Sequence, residues 1–238
     1  MKTVRDACRL QENALSIKLS DQVEQLDELI NIEGDGAAFF EKTHVTQGMR
    51  DLISEGIARL AGASSQAVFH LKQAMGGGKT HLLVGFGLLA RHEGLRRRHC
   101  GDMLHATAFD TAGIAVFNGR NNPDHFFWGE IANQLGKGAQ FKAFWTGGPK
   151  APDEKDWLKL FDGDAPVAIL LDEMPPYFHY LDTQKVGNGT VADIATRAFA
   201  NLLTAAGKKK NVCVVVSDLA AAYDTGARLI NRALEDAR

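Results

Sequence analysis

Apolar residues in this chain follow two rhythms, short unbroken runs and longer stretches with helical spacing. Gln66 to Leu71, Gly113-Ile114-Ala115-Val116-Phe117-Asn118, Pro166-Val167-Ala168-Ile169-Leu170-Leu171 and Asn211-Val212-Cys213-Val214-Val215-Val216 are the runs. Each ends in polar or turn residues, the pattern of a strand buried on both faces. Between them lie helical patterns. Leu52, Ile53, Ile57, Leu60 and Ala61 form a stripe that stops at Gly62, and Thr80 to His92 is apolar almost all round, with Gly94 closing it. Phe126, Phe127, Ile131 and Leu135 give a helix ending at Gly136, whose aromatic face reads as core. Val191, Ile194, Ala198, Leu202 and Ala205 give another, stopped by Gly207, and a last helix runs from Ala227 to Arg238. Strands alternating with helices predict an α/β fold with a mostly parallel sheet.

Two stretches interrupt this alternation. Residues 1–36 are polar and mixed, with Val23, Leu26, Leu29 and Ile30 at helical spacing before the Glu33-Gly34-Asp35-Gly36 turn, and read as a helical N-terminal arm. The domain proper then covers residues 37–238. Within it, residues 138–164 carry Trp145, Gly147-Gly148-Pro149 and Asp153-Glu154-Lys155-Asp156, which reads as an insertion with one short helix around Trp157, Leu158 and Leu160. Its role has no signature. Arg96-Arg97-Arg98 and Lys208-Lys209-Lys210 read as solvated turns.

With 238 residues, 45% of them hydrophobic, the chain can bury one sizeable core. A formal net charge of -2 gives no field for a free-standing nucleic-acid or membrane binder, so nucleic acid would be met only through partners. No apolar run approaches the roughly 20 residues of a membrane span. The three cysteines, Cys8, Cys100 and Cys213, share no ligand spacing, which fits a reducing cytoplasm. His99, Cys100 and His105 lie close together without a zinc spacing.

The candidate chemistry sits where two of the strands end. After the first run comes Gln73-Ala74-Met75-Gly76-Gly77-Gly78-Lys79-Thr80-His81, a glycine loop leading into a helix. Such a loop turns backbone N–H groups toward phosphate oxygens, and the helix adds its positive N-terminal dipole. Lys79 supplies a cation and Thr80 a hydroxyl for Mg²⁺. Gln73 stands where the complete motif has a further glycine. The third run ends in Asp172-Glu173, and paired acids at a strand C-terminus suit a metal shell and a reacting water, Asp172 for the first and Glu173 for the second. The fourth ends in Ser217-Asp218, either of which can sense a terminal phosphate or simply cap the next helix. Arg228 and Arg232 on the last helix read as surface residues or as a transition-state arginine offered to a neighbour.

Together these motifs resemble P-loop NTPases, a three-layer sandwich with a mostly parallel sheet, of the glutamate-containing, AAA+-like branch that places a strand between the glycine-loop strand and the acidic strand. More narrowly, Phe39-Phe40-Glu41-Lys42-Thr43, Met75 to His81, Phe127-Trp128-Gly129-Glu130-Ile131-Ala132 and Leu171-Asp172-Glu173-Met174-Pro175-Pro176-Tyr177 resemble a family of large prokaryotic ATP-binding proteins of unknown function. That family is often encoded beside DNA methylases and helicases in phage-defence clusters. The resemblance covers roughly residues 37 to 220 and implies ATP and Mg²⁺ as cofactors. Gly76, Gly77, Gly78, Lys79 and Thr80 would hold nucleotide, Thr80 and Asp172 the metal, and Glu173, Lys79, Ser217 and Asp218 would serve turnover. It further implies an incomplete domain lacking the C-terminal strand and lid. The expected function is ATP hydrolysis driving a conformational change in a homo-oligomer or a larger DNA-processing or phage-defence assembly. The alternative is a module or degenerate fragment that holds nucleotide without hydrolysing it.

Overall fold

The four apolar runs form one sheet. A computed structural model of the chain describes Leu26 and residues 36–72, 78–218 and 224–236. In chain order these give α1 (Ala37–Lys42), α2 (Gln47–Leu60), β1 (Val68–Lys72), α3 (Lys79–Arg91), α4 (Glu93–Cys100), β2 (Gly113–Asn118), α5 (Phe126–Gln134), α6 (Gly138–Phe141), α7 (Glu154–Leu160), β3 (Val167–Asp172), α8 (Met174–Asp182), a small hairpin of β4 (Lys185–Val186) and β5 (Gly189–Thr190), α9 (Val191–Lys208), β6 (Val212–Asp218) and α10 (Asp224–Asp236).

The sheet order is β1-β6-β3-β2, and all three pairings are parallel. The chain therefore leaves β1 for the far edge at β2 and steps back through β3 to β6. Because strand-to-strand crossovers are right-handed, a reversal of direction moves the connecting helices to the other face. The core shows this. Phe69, Val116, Ala168, Leu170, Cys213 and Val215 pack with α1 to α4, whereas Ala115, Phe117, Ile169, Leu171, Val214 and Val216 pack with α5 to α10. Alternate residues of each strand thus feed opposite cores, which is why the runs are apolar throughout. Both faces are covered by helices. Leu26 is fully buried in the first of these cores, and Gly36, the other described residue of the N-terminal segment, is the N-cap of α1; the rest of the helix read there lies outside the described residues.

Several local expectations are corrected. Arg96-Arg97-Arg98 is in α4, and Arg96 is fully buried. Its guanidinium donates to the carbonyls of Leu89 and Ala90 at the end of α3 and of Ala106, Phe109 and Asp110 beyond α4. The side chain is a clamp on backbone, which a run of three arginines does not reveal. Gly94 lies inside α4, and α3 closes at His92. The segment 138–164 carries α6 and a 3₁₀ turn, Lys142–Phe144, besides α7. Phe141, Trp157, Leu160 and Phe161 are buried in the second core, and the Trp157 indole donates to Ala198 O of α9 at 3.1 Å. The segment packs into that core layer. Arg59 is also buried, donating to Val212 O, Ala206 O, Ser64 O and neighbouring carbonyls where α9 hands over to β6.

Among the described residues no helix is long and apolar enough to cross a membrane. Cys100 and Cys213 are free and buried, with burial pushing their thiols up to about 11 and about 12.

Candidate functional site

In a parallel sheet all strand C-termini lie along one edge, and ligands of open α/β sheets bind there. Here the edge runs Lys72, Asp218, Asp172, Asn118 in sheet order, from the cross-strand pairs Lys72 with Asp218 and Asn118 with Asp172 and the pairing of β3 with β6. The loop that follows Lys72 contains Gly76 and Gly77, which lie outside the described residues. Gly78 is described. It holds a left-handed backbone, φ 70°, as the N-cap of α3, and a Cβ added to it would meet nothing within 4 Å. Glycine is therefore required by conformation there, not by crowding, and the space in front of it is open.

Lys79 is the first residue of α3 and is 7% exposed. Thr80, the next, donates its hydroxyl to Asp172 Oδ2 at 2.6 Å. This bond ties the start of the helix after the glycine loop to the acidic strand end, across 92 residues of sequence. Asp172 is 2% exposed. Its Oδ1 accepts from the Ser217 hydroxyl and from Glu173 N at 3.0 Å. Ser217 Oγ is also 3.3 Å from Glu173 N. A buried carboxylate is tolerated when donors surround it, and Asp172 has three. Ser217 is thus joined to the acids. Asp218 ends β6 opposite Lys72.

Glu173 departs from the strand. It adopts a left-handed backbone, φ 50°, as the N-cap of α8, where Pro175 stands in the first turn and is suited to it. A non-glycine residue in that region costs of order 1 kcal/mol and is found where surrounding structure holds it. The holding groups are visible. Gly119 N donates to Asp172 O at 2.8 Å, and a Cβ on Gly119 would sit 2.0 Å from Glu173 O. On the other side, a Cβ on Gly226 of α10 would sit 2.2 Å from Pro175 O. Backbone from β2 and from α10 therefore brackets the turn at Glu173. Arg228 and Arg232 of α10 are exposed.

The structure adds residues that the sequence pattern did not mark. Arg120, just past β2, forms an ion pair with both oxygens of Glu173. The only signal for it was position, an arginine after the turn that ends the strand beside β3. His81 stacks on Phe39 with ring centroids 4.3 Å apart, and its Nε2 is 2.9 Å from Thr43 Oγ1. The Thr43 hydroxyl hydrogen goes to Phe39 O at 2.7 Å, so Thr43 accepts from His81 and Nε2 carries the proton. Helix α1 is thereby pinned to the first turn of α3.

Among the described residues no group of three or more His, Cys, Asp or Glu could hold a metal. His99 instead stacks on Phe40. A hydroxyl and a carboxylate 2.6 Å apart at a buried strand end do form an oxygen donor set suited to Mg²⁺, which takes few protein ligands and fills its shell with water and phosphate oxygens.

Residues 4–97 match the model of the DUF499 N-terminal domain, a family found in large ATPase-like proteins. The match is less than half of the chain. It takes in α1, α2, β1, the glycine loop and α3, and ends before β2 and the acidic strand. No curated protein and no solved structure matches the chain.

Proposed function

We propose that the chain is a P-loop ATPase module of the glutamate-containing branch, which binds ATP with Mg²⁺ and couples hydrolysis to movement in a larger assembly. The observation that carries this reading is the 2.6 Å bond from Thr80 to Asp172. A Rossmann-like site has no use for a lysine and a hydroxyl at the helix start facing a buried acid on a separate strand, whereas phosphate-bound Mg²⁺ needs that pair. The sheet order supports the same branch, because β6 lies between β1 and β3. The match to a family found in ATPase-like proteins agrees with it.

In this reading Mg²⁺, when bound, neutralises charge on the phosphates. The chain's residues do the rest. Gly76, Gly77 and Gly78 would offer backbone N–H groups to the phosphates, with the ammonium of Lys79 and the dipole at the N-terminus of α3 beside them. Thr80 and Asp172 would hold the metal, the first through its hydroxyl oxygen and the second through its carboxylate. Glu173 orients and deprotonates the attacking water. Ser217, which donates to Asp172, is a positioning residue that keeps the carboxylate aimed. Asp218 at the end of β6 would sense the terminal phosphate or cap the next helix.

Separating the two acids tests the assignment. Asp172→Asn should weaken Mg²⁺-dependent ATP binding, while Glu173→Gln should keep binding and abolish turnover. Equal loss of binding in both would contradict these roles. A second reading, a module that holds nucleotide as a switch with negligible turnover, is favoured by the ion pair that engages Glu173. Steady-state assays of the unmodified chain separate it from the first.

A further inference from the structure

Where the segment 138–164 packs beside the first turns of α9, the two enclose a cavity of about 770 Å³. Pockets that hold small ligands span roughly 300–1,000 Å³, so this one has the size of a binding site. Its walls are fixed from behind. Asn201 Nδ2 of α9 donates to Pro152 O at 2.8 Å, the Trp157 indole donates to Ala198 O at 3.1 Å, and Lys208 pairs with Glu154 at 2.6 Å. The bend that closes one side is held by Lys150 N, which donates to Phe144 O at 3.1 Å. None of the lining residues belongs to the strand ends described above.

The lining combines three chemistries. Phe144, Pro149 and Ile194 give it an apolar face. Asp153, Asp156 and Asp193 are acids whose presence the fold explains, since each spends one oxygen on a backbone N–H in a capping box at the start of α7 or α9. The cations have no such account. Arg197, one turn after Asp193 on α9, makes no hydrogen bond or ion pair among the described residues, and the Lys150 ammonium makes only a loose approach to the Phe144 ring, 5.8 Å from its centroid. Cations without a partner, acids with an oxygen to spare and an apolar wall together complement a ligand that brings both charges and an apolar group. We propose that the cavity takes a short stretch of a partner protein in which an acidic and a basic side chain flank an apolar one. The apolar side chain rests against Phe144 and Ile194, the acidic one meets Arg197 and Lys150, and the basic one meets the aspartates. Lys150, Asp153, Asp193 and Arg197 are exposed, so a loop or tail of another protein reaches the site without any part of the fold opening. The inference stands apart from the nucleotide reading.

The test is an array of blocked pentapeptides whose three central positions run through all combinations of acidic, basic, apolar and uncharged polar residues. It is probed with the full 238-residue chain and with its Lys150→Gln/Arg197→Gln double variant. The parent should retain peptides that carry both charges beside an apolar residue. In solution titrations the double variant should bind those peptides about three- to tenfold more weakly, the range for losing exposed charge pairs. Amide hydrogen exchange of the parent, with a retained peptide bound, should slow in residues 144–153 and 191–198. Retention of no peptide, or only of peptides with one charge or none, overturns the proposal. Equal peptide affinity in the two proteins overturns it too. So does protection that falls only elsewhere on the chain, a result read on the parent alone and therefore valid even if the double variant folds poorly. Mg–ATP affinity, measured alongside, should be equal in the two proteins, and its absence from the parent would overturn the nucleotide reading and not this one.

Discussion

Glu173 carries a backbone strain at the point where β3 gives way to α8. At φ 50° a glycine would sit more easily, so Glu173→Gly should leave stability unchanged or raise it by up to about 1 kcal/mol, while Glu173→Gln keeps the strain. Paired chemical melts of the two variants check this. A glycine variant less stable than the glutamine one would mean that relief of the strain does not offset glycine's greater freedom in the unfolded chain. The buried thiols make a second residue-scale prediction. Both titrate higher folded than unfolded, the ordinary value being 9.0, so the folded state holds more protons between that value and about 11 to 12. Stability is thus fully present below pH 9 and falls as pH rises through the folded values. Cys213→Ala should flatten part of that alkaline loss, measured by denaturation from pH 8 to 11. Peptide mapping after alkylation at pH 8 should find Cys100 and Cys213 unmodified until the chain is unfolded.

Helices and strands were legible where chemistry and rhythm coincide. Val167 to Leu171 is apolar because both faces of β3 are covered, and Asp172 stood out at its end for the same reason. Lys79 and Thr80 were readable as the start of a helix after glycines. Contacts across the sheet were not readable. Nothing local joins Arg120 to Glu173 or Thr43 to His81, because strand order, not sequence distance, brings them together. Arg96 misled for a related reason: a buried arginine that clamps carbonyls looks, in sequence, like its solvated neighbours Arg97 and Arg98. Removing it should be costly. Arg96→Met leaves buried carbonyls without donors and should destabilise by about 3 to 5 kcal/mol, against less than about 0.5 kcal/mol for Arg98→Met, in urea denaturation. At the end of β2, Gly119→Ala forces a Cβ against Glu173 O and should cost about 1 to 3 kcal/mol while displacing the turn. Equal stability of Gly119→Ala and the parent would show that the turn is looser than its close approach indicates.

At the scale of the molecule, the reversal of the chain after β2 places the head of α3, the acids and Ser217 along one sheet edge, with two covered cores behind them. The edge at β2 is itself occupied: the Gln134 amide accepts from Val116 N at 2.7 Å and donates to Val116 O at 2.9 Å, standing in for a neighbouring strand. This architecture fits a Rossmann-like or a P-loop-like fold, and the proposal of a phosphate site turns on the lysine at the head of α3. Isothermal titration of Mg–ATP into the parent chain and into Lys79→Ala tests that claim most directly. The account predicts saturable binding to the parent and a loss of about 1.5 to 3 kcal/mol, roughly ten- to a hundredfold in Kd, without the ammonium. Equal affinity in the two proteins, with both folded, would contradict it.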